Sequence, residues 1–295
     1  MIRRREFTLG AAAWAAGNWF GAGGPALAER AFRRDLADRF ARIEEASGGR
    51  LGIGLLDTGS GAHAAHRGDE RFPLCSTFKV LAAGAALARV DRGEDGLDRR
   101  LRYELREVVP YSPVSGPRAG GEGMTIAELC EAAVTLSDNT AANLLLGTMG
   151  GPAGLTGHIR RFGDATTRLD RTEPDLNEAA PGDPRDTTTP RAMAETLRRL
   201  VLADALSPAS RALLTAWLVG CRTGDARLRA GLPKDWRIGD KTGSGENDTA
   251  NDVAVIWPPR RPPLVLTGYL TGARTSSEAR SATIASVARA VAASL

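Results

Sequence analysis

Lysine is almost missing from this chain of 295 residues: of 39 basic side chains only Lys79, Lys234 and Lys241 are lysine, and the rest are arginine. Arginine keeps its proton at any ordinary pH, whereas a buried lysine can lose one. A lysine in so arginine-rich a chain is therefore a candidate for work that requires a proton to move. Cysteine is also scarce. Cys75, Cys130 and Cys221 are an odd number that allows one disulfide at most. None has zinc-finger spacing. His63 and His66 form an H-x-x-H without a glutamate between them, on a strand-like segment, and read as a surface strand pair. No dense basic run is interleaved with the aromatics, which excludes the usual nucleic-acid footprint. No apolar run reaches the roughly 18 residues that a membrane span needs.

What is present begins with an export pattern. "RRREFTLG" carries the pair Arg4 and Arg5, an apolar stretch runs from Ala11 to Phe20, and Ala26-Leu27-Ala28 has the form of a cleavage site. The arginine pair resembles a twin-arginine signal, an address and not an anchor. Residues 1–28 are expected to be removed, leaving a periplasmic protein without membrane attachment. Losing Arg3, Arg4, Arg5 and Glu6 takes the formal charge from +4 to +2, three positive charges less one negative. The high sequence pI therefore says little about the mature protein.

A hydrophobic fraction of 42% with 25% charged residues is that of a soluble globular protein. Phe32, Leu36, Phe40 and Ile43 fall at helical spacing, and Leu51, Ile53 and Leu55 alternate as in a strand. Thr125 and Glu128 form a capping box ahead of a helix, apolar on a broad face, that reads as central. Residues 163–189 hold many Asp, Thr and Pro without a period and read as a long functional loop. "DVAVIW" from Asp252 and "LVLTGYL" from Leu264 read as strands. Thr275 and Glu278 are expected to cap a last helix with Ile284, Val287, Val291 and Leu295 on one face. The early strand has its nearest partners among the late ones. This predicts an α/β lobe from both chain ends, residues 29–75 and 221–295, with an all-helical lobe, residues 76–220, inserted.

Ser76 and Lys79, three apart in "CSTFKV", share a helical face. At a helix start the backbone N–H groups favour developing negative charge. A serine there is commonly only a cap; a neutral lysine one turn on adds a base that a cap does not need. Ser137-Asp138-Asn139 follows the capped helix and offers a hydroxyl for proton transfer beside an amide for a carbonyl. Lys241-Thr242-Gly243 reads as a strand laid along a substrate, with Lys241 and Thr242 facing a carboxylate and Gly243 allowing close approach. The three motifs, in this order, resemble the set of class A β-lactamases and penicillin-binding proteins, and the likeness runs from about Phe32 to the end.

"RTEPDLN", Arg171 to Asn177, matches the omega-loop signature of the class A enzymes, which penicillin-binding proteins lack. The resemblance implies an antiparallel sheet flanked by the terminal helices, with the active site between the lobes. It implies Ser76 as nucleophile, Lys79 in the proton network, Ser137 as proton donor to the leaving nitrogen and Glu173 as deacylation base with Asn177 beside it. It places Tyr111 at the cleft mouth, Asn139 on the substrate, and Lys241, Thr242, Gly243 and Ser244 along it, with the oxyanion between the N–H groups of Ser76 and Ser244. Arg171 and Asp186 become an ion pair closing the omega loop, residues 171–186. The substrate is a small β-lactam; no cofactor, metal or nucleic acid is needed, and a monomer is expected. Two positions that carry an extra arginine in some members hold Ala250 and Ser281 here, so Arg227 is the candidate for that charge. Glu246 beside "KTGSG" resembles members accepting oxyimino-cephalosporins. The rival readings are a penicillin-binding D,D-peptidase and a covalent β-lactam sensor, and Glu173 argues against both.

Some family members bridge the position of Cys130 to that of Ala83, and certain carbapenem-hydrolysing ones bridge that of Cys75 to that of Gly245. Both partner cysteines are absent here. Thiol titration of the denatured, unreduced mature protein should find three thiols per chain; a single thiol would contradict this reading.

Overall fold

Glycine alternates with large aliphatics along strand β1 (Arg50–Asp57), and that alternation lets two layers close on it. A side chain at Gly52 would begin 2.4 Å from the Phe72 ring and 2.8 Å from Pro190, so only glycine admits both. The computed structural model describes residues 24–295, with side chains from residue 34. The expected signal segment lies outside the described residues up to position 23, and residues 24–28 open helix α1 (Gly24–Ser47). Leu36 and Phe40 of α1 are buried, as their spacing predicts.

Beyond β1 come β2 (His63–His66) and β3 (Phe72–Pro73), then β4 (Arg100–Leu101), β5 (Met124–Thr125) and β6 (Thr187–Thr188). The late strands are β7 (Arg237–Gly245), β8 (Thr249–Trp257) and β9 (Leu264–Thr271). The main sheet runs β2-β1-β9-β8-β7 and every pairing in it is antiparallel. Side chains on successive strand positions face opposite ways, and the sheet is apolar on both sides. Ala254, Ile256, Leu266 and Leu270 pack with α1 and with α8 (Ser277–Ala292) on one face. Val253, Val255, Val265 and Tyr269 join the helical core on the other.

That helical core surrounds α2 (Phe78–Asp91), whose residues from Phe78 to Ala88 are all buried. A helix apolar all round belongs in the middle of a domain. Against it pack α3 (Ile126–Thr135), α4 (Asn139–Thr148), α5 (Gly151–Arg161) and α7 (Pro208–Val219). The helix read as central, α3, is thus a neighbour of the central one; six small residues in α2, five of them alanine, let the others close in. The capping box of α3 forms as expected. Helix α8 departs from expectation at both ends. Its cap is Ser276, whose hydroxyl accepts from the Ala279 N–H, in place of Thr275. Leu295 lies past the helix end and is exposed. Helix α6 (Pro190–Leu202) follows β6 and lies on β1 and β9.

Residues 163–189 are irregular apart from one turn at Asp175–Asn177 and from β6, which pairs with β3. All three cysteines are unbridged and buried. A side chain at Gly245 would begin 2.7 Å from the Cys75 sulfur, so the two positions adjoin and only the second thiol is missing. Among the described residues no helix is long and apolar enough to cross a membrane.

Candidate active site

Asn251 of β8 donates from its side-chain amide to the carbonyls of Pro73 (2.9 Å) and Leu74 (3.3 Å). It thereby fastens the sheet to the chain entering the turn that carries Ser76. Cys75 then takes a left-handed φ of 43°, a conformation that costs energy outside glycine and collects at functional sites. The turn Cys75–Thr77 runs directly into α2, so Ser76 stands at the mouth of that helix while Lys79 points into the protein.

Lys79 is fully buried. Its Nζ lies 3.0 Å from Ser76 Oγ, 2.7 Å from the Ser137 carbonyl, 3.3 Å from Ser137 Oγ and 2.5 Å from Asn139 Oδ1. Glu173 Oε1 is 2.9 Å away. An ammonium has three protons, so five acceptors compete for them and the proton has more than one exit. Burial pushes the Lys79 pKa down, and the Glu173 carboxylate pulls it back up. Ser137 is held in place by its own left-handed φ of 59°. Its hydroxyl also accepts from Lys241 Nζ at 3.0 Å, so Ser137 sits between two buried lysines. The third lysine, Lys234, is exposed and is ordinary surface.

Glu173 approaches from the long loop. Ser76 Oγ donates to its Oε1 at 3.2 Å, and Asn177 donates to its Oε2. Its backbone is clamped by Asn143 of α4, which donates to the Glu173 carbonyl and accepts its N–H, each at 2.9 Å. The sequence reading missed Asn143; an amide side chain inside the apolar run "AANLLL" was the available sign. Arg171 donates to Asp186 at 2.6 Å, and Asp186 also accepts the N–H groups of Asp170 and Arg171. The loop is therefore drawn together at its base. The Glu173-Pro174 peptide is cis.

Strand β7 forms the opposite wall. Lys241 is fully buried; burial lowers its pKa to about 8, and the Lys79 charge acts in the same direction. Arg227, 8% exposed, donates to the carbonyls of Gly243 (2.7 Å) and Asn251 (2.6 Å) and to Ser244 Oγ (2.6 Å). It lies behind the strand end beside Ala250, which faces Ser244 in the register. Thr223, also missed, shares a 2.5 Å hydrogen bond with Thr242. A loop threonine between Cys221 and Gly224 carried no pattern by which to find it.

A cavity of about 370 Å³ gathers Ser76, Tyr111, Ser137, Asn139, Asn177, Thr223, Arg227, Thr242, Gly243 and Ser244. Tyr111 stands at its rim, 60% exposed, and its carbonyl accepts the Asn139 N–H at 3.0 Å. Ser76, Ser137 and a polar strand thus face one space, while Lys79, Lys241 and Glu173 lie buried directly beneath its lining, hydrogen-bonded to those two serines, an arrangement suited to acyl transfer from an anionic amide. Among the described residues no group of three or more His, Cys, Asp or Glu is placed to hold a metal.

A family model described as the Beta-lactamase enzyme family matches residues 35–295. The chain is 52% identical over 253 residues to Beta-lactamase AST-1 of Nocardia asteroides, covering 86% of this chain and 81% of that one. It is 49% identical to a carbapenem-hydrolyzing beta-lactamase, KPC, of Klebsiella oxytoca, covering 86% and 87%. A solved ancestral class A beta-lactamase superposes with a TM-score of 0.87 at 62% identity, over 88% of this chain and all of that one. With Ser76, the two buried lysines and the loop glutamate in one hydrogen-bonded cluster, these matches establish that the chain belongs to the beta-lactamase enzyme family, as a class A serine enzyme.

Proposed function

We propose that the protein opens the β-lactam ring of penicillins and cephalosporins through an ester on Ser76 and then hydrolyses that ester, conferring resistance to these antibiotics. The observation that carries this reading is the position of Glu173, whose Oε1 is 3.2 Å from the nucleophile and 2.9 Å from Lys79. A carboxylate so placed can take a proton from a water attacking the ester carbonyl. The bond to Ser76 Oγ then breaks, and the serine recovers its proton from the Lys79–Glu173 pair. In the first half-reaction Ser76 loses its proton to that same pair and attacks the lactam carbonyl. The oxyanion forms between the N–H groups of Ser76 and Ser244, preorganised donors of the kind that contribute most to such catalysis. Ser137, fed by both lysines, delivers a proton to the departing nitrogen. Lys241, Thr242 and Ser244, backed by Arg227, take the substrate carboxylate, and Asn139 holds the side-chain amide.

The amino-terminal pattern supports export by the twin-arginine route, cleavage after Ala28 and action in the periplasm. The two lobes, 29–75 with 221–295 and 76–220 carrying the omega loop 171–186, meet at the site.

Two outcomes are expected. The mature protein should turn over a chromogenic cephalosporin continuously, whereas a burst equal to the enzyme concentration followed by a plateau would favour a D,D-peptidase or a sensor. The second outcome follows from Lys241. As pH rises through about 8 its ammonium loses the charge that the substrate carboxylate requires. Because kcat/KM reports the free enzyme, it should fall above about pH 8 on an anionic penicillin. Lys241→Arg should remove that limb in a folded variant, since guanidinium stays charged. A wild-type profile that stays flat well above pH 8 would show that Lys241 keeps its charge there and contradict this account of the alkaline limb.

A further inference from the structure

A second concavity, of about 500 Å³, lies behind the omega loop and shares no lining residue with the catalytic cavity. One wall is the loop segment Ala179–Arg185, and the floor includes Pro73 and Leu176. Four guanidinium groups line it, those of Arg50, Arg71, Arg171 and Arg185, against two carboxylates, Glu70 and Asp183. Three of the four are paired. Arg171 bonds Asp186 and Glu178, and Arg185 bonds Asp183 at 2.6 Å with Glu178 at 3.5 Å. Arg50 reaches Glu70 at 3.2 Å, donates to the Arg71 carbonyl at 2.8 Å and stacks on the Phe72 ring at 3.8 Å. Glu70 is itself shared with Arg67 at 3.1 Å.

Arg71 is different. It is exposed, and its Nη1 donates only to the Thr166 carbonyl (3.1 Å) and Thr187 Oγ1 (3.0 Å). Among the described residues it has no ion pair, and neither Nε nor Nη2 is engaged. One edge of its planar fork is thus fixed by the protein and the other left open. That is the geometry in which arginine takes two oxygens of a phosphate or carboxylate at once. The cavity is also within the size range of small-molecule sites.

We propose that this groove binds a small multivalent oxyanion, with Arg71 as its main contact and Arg50 as the second, fixed cation. Arg50 opens β1 of the main sheet and residues 179–185 are omega loop, so an occupant held between them ties the loop to the sheet. The proposal does not depend on the catalytic reading and can fail without it.

Calorimetric titration of the full mature protein with inorganic pyrophosphate, and separately with citrate, at constant ionic strength, tests this. One saturable site is expected for at least one probe, and the tighter probe tells whether phosphate or carboxylate chemistry is preferred. The same ligand should raise Tm saturably, as any ligand of the folded state does. Losing a charge-assisted hydrogen bond costs about tenfold or more, so Arg71→Gln should weaken binding by that much while cephalosporin turnover is unchanged. Arg50→Gln should weaken it as well, and decides the matter if Arg71→Gln does not fold. No saturable binding of either probe, or binding that survives these substitutions unchanged, overturns the proposal.

Discussion

An ammonium group with no access to water has to be satisfied by the protein around it, and the Lys79 ammonium sets the terms for the rest of this molecule. Leaving a charge buried and unpaired costs far more than a domain can spare. Its acceptors arrive from three separate places: Ser76 at the head of α2, Ser137 and Asn139 after α3, and Glu173 from the loop. None of these segments is close to another in sequence. They meet because α2 is central and small-sided, so the α3–α4 connection and the loop can both reach the same point. The alanines that let the helices close and the lysine that the closure buries belong to one constraint.

In the proposed mechanism the loop is where that constraint becomes catalytic. Glu173 is held by Asn143 through its backbone and by Asn177 through its carboxylate, while Arg171 and Asp186 hold the base of the loop. The side chain is oriented by neighbours on three elements, and the catalytic geometry therefore depends on the packing of α4 as much as on the loop. Four of the ten non-glycine residues with left-handed φ among the described residues fall in the same place: Cys75, Tyr111, Ser137 and Asp186. Each turns the chain next to a functional side chain, as expected where surrounding structure over-determines a costly conformation.

Much of this was legible in the sequence because the chemistry is local there. S-x-x-K, Ser-Asp-Asn, Lys-Thr-Gly and the loop glutamate are contiguous motifs, and the scarcity of lysine singled out two of the residues that are buried in the site. What was not legible is what depends on distant packing. Asn143 looks like a misplaced polar residue until the loop is folded onto it. Thr223 gains meaning only from the 2.5 Å contact with Thr242. The centrality of α2 over α3 follows from side-chain size on all faces, which periodicity does not report. At α8 the cap is Ser276, one residue beyond the expected Thr275; neighbouring hydroxyl residues look alike in sequence, and only the backbone tells which one accepts the free N–H. The two-sided burial of β1 was hidden because glycine reads as an absence of pattern, when here it marks the close approach of a second layer.

The central claim is that Glu173 activates water against an ester on Ser76, and the most direct measurement weighs that ester. In Glu173→Ala, acylation should still proceed through Lys79, but deacylation should slow by about 10²–10⁴-fold, the usual contribution of a general base. Intact-protein mass spectrometry after brief exposure to a penicillin should then show the Glu173→Ala protein carrying one drug mass. The adduct should be fleeting or absent in wild type and abolished in Ser76→Ala. A Glu173→Ala protein that turns over at the wild-type rate without accumulating the ester would contradict the account.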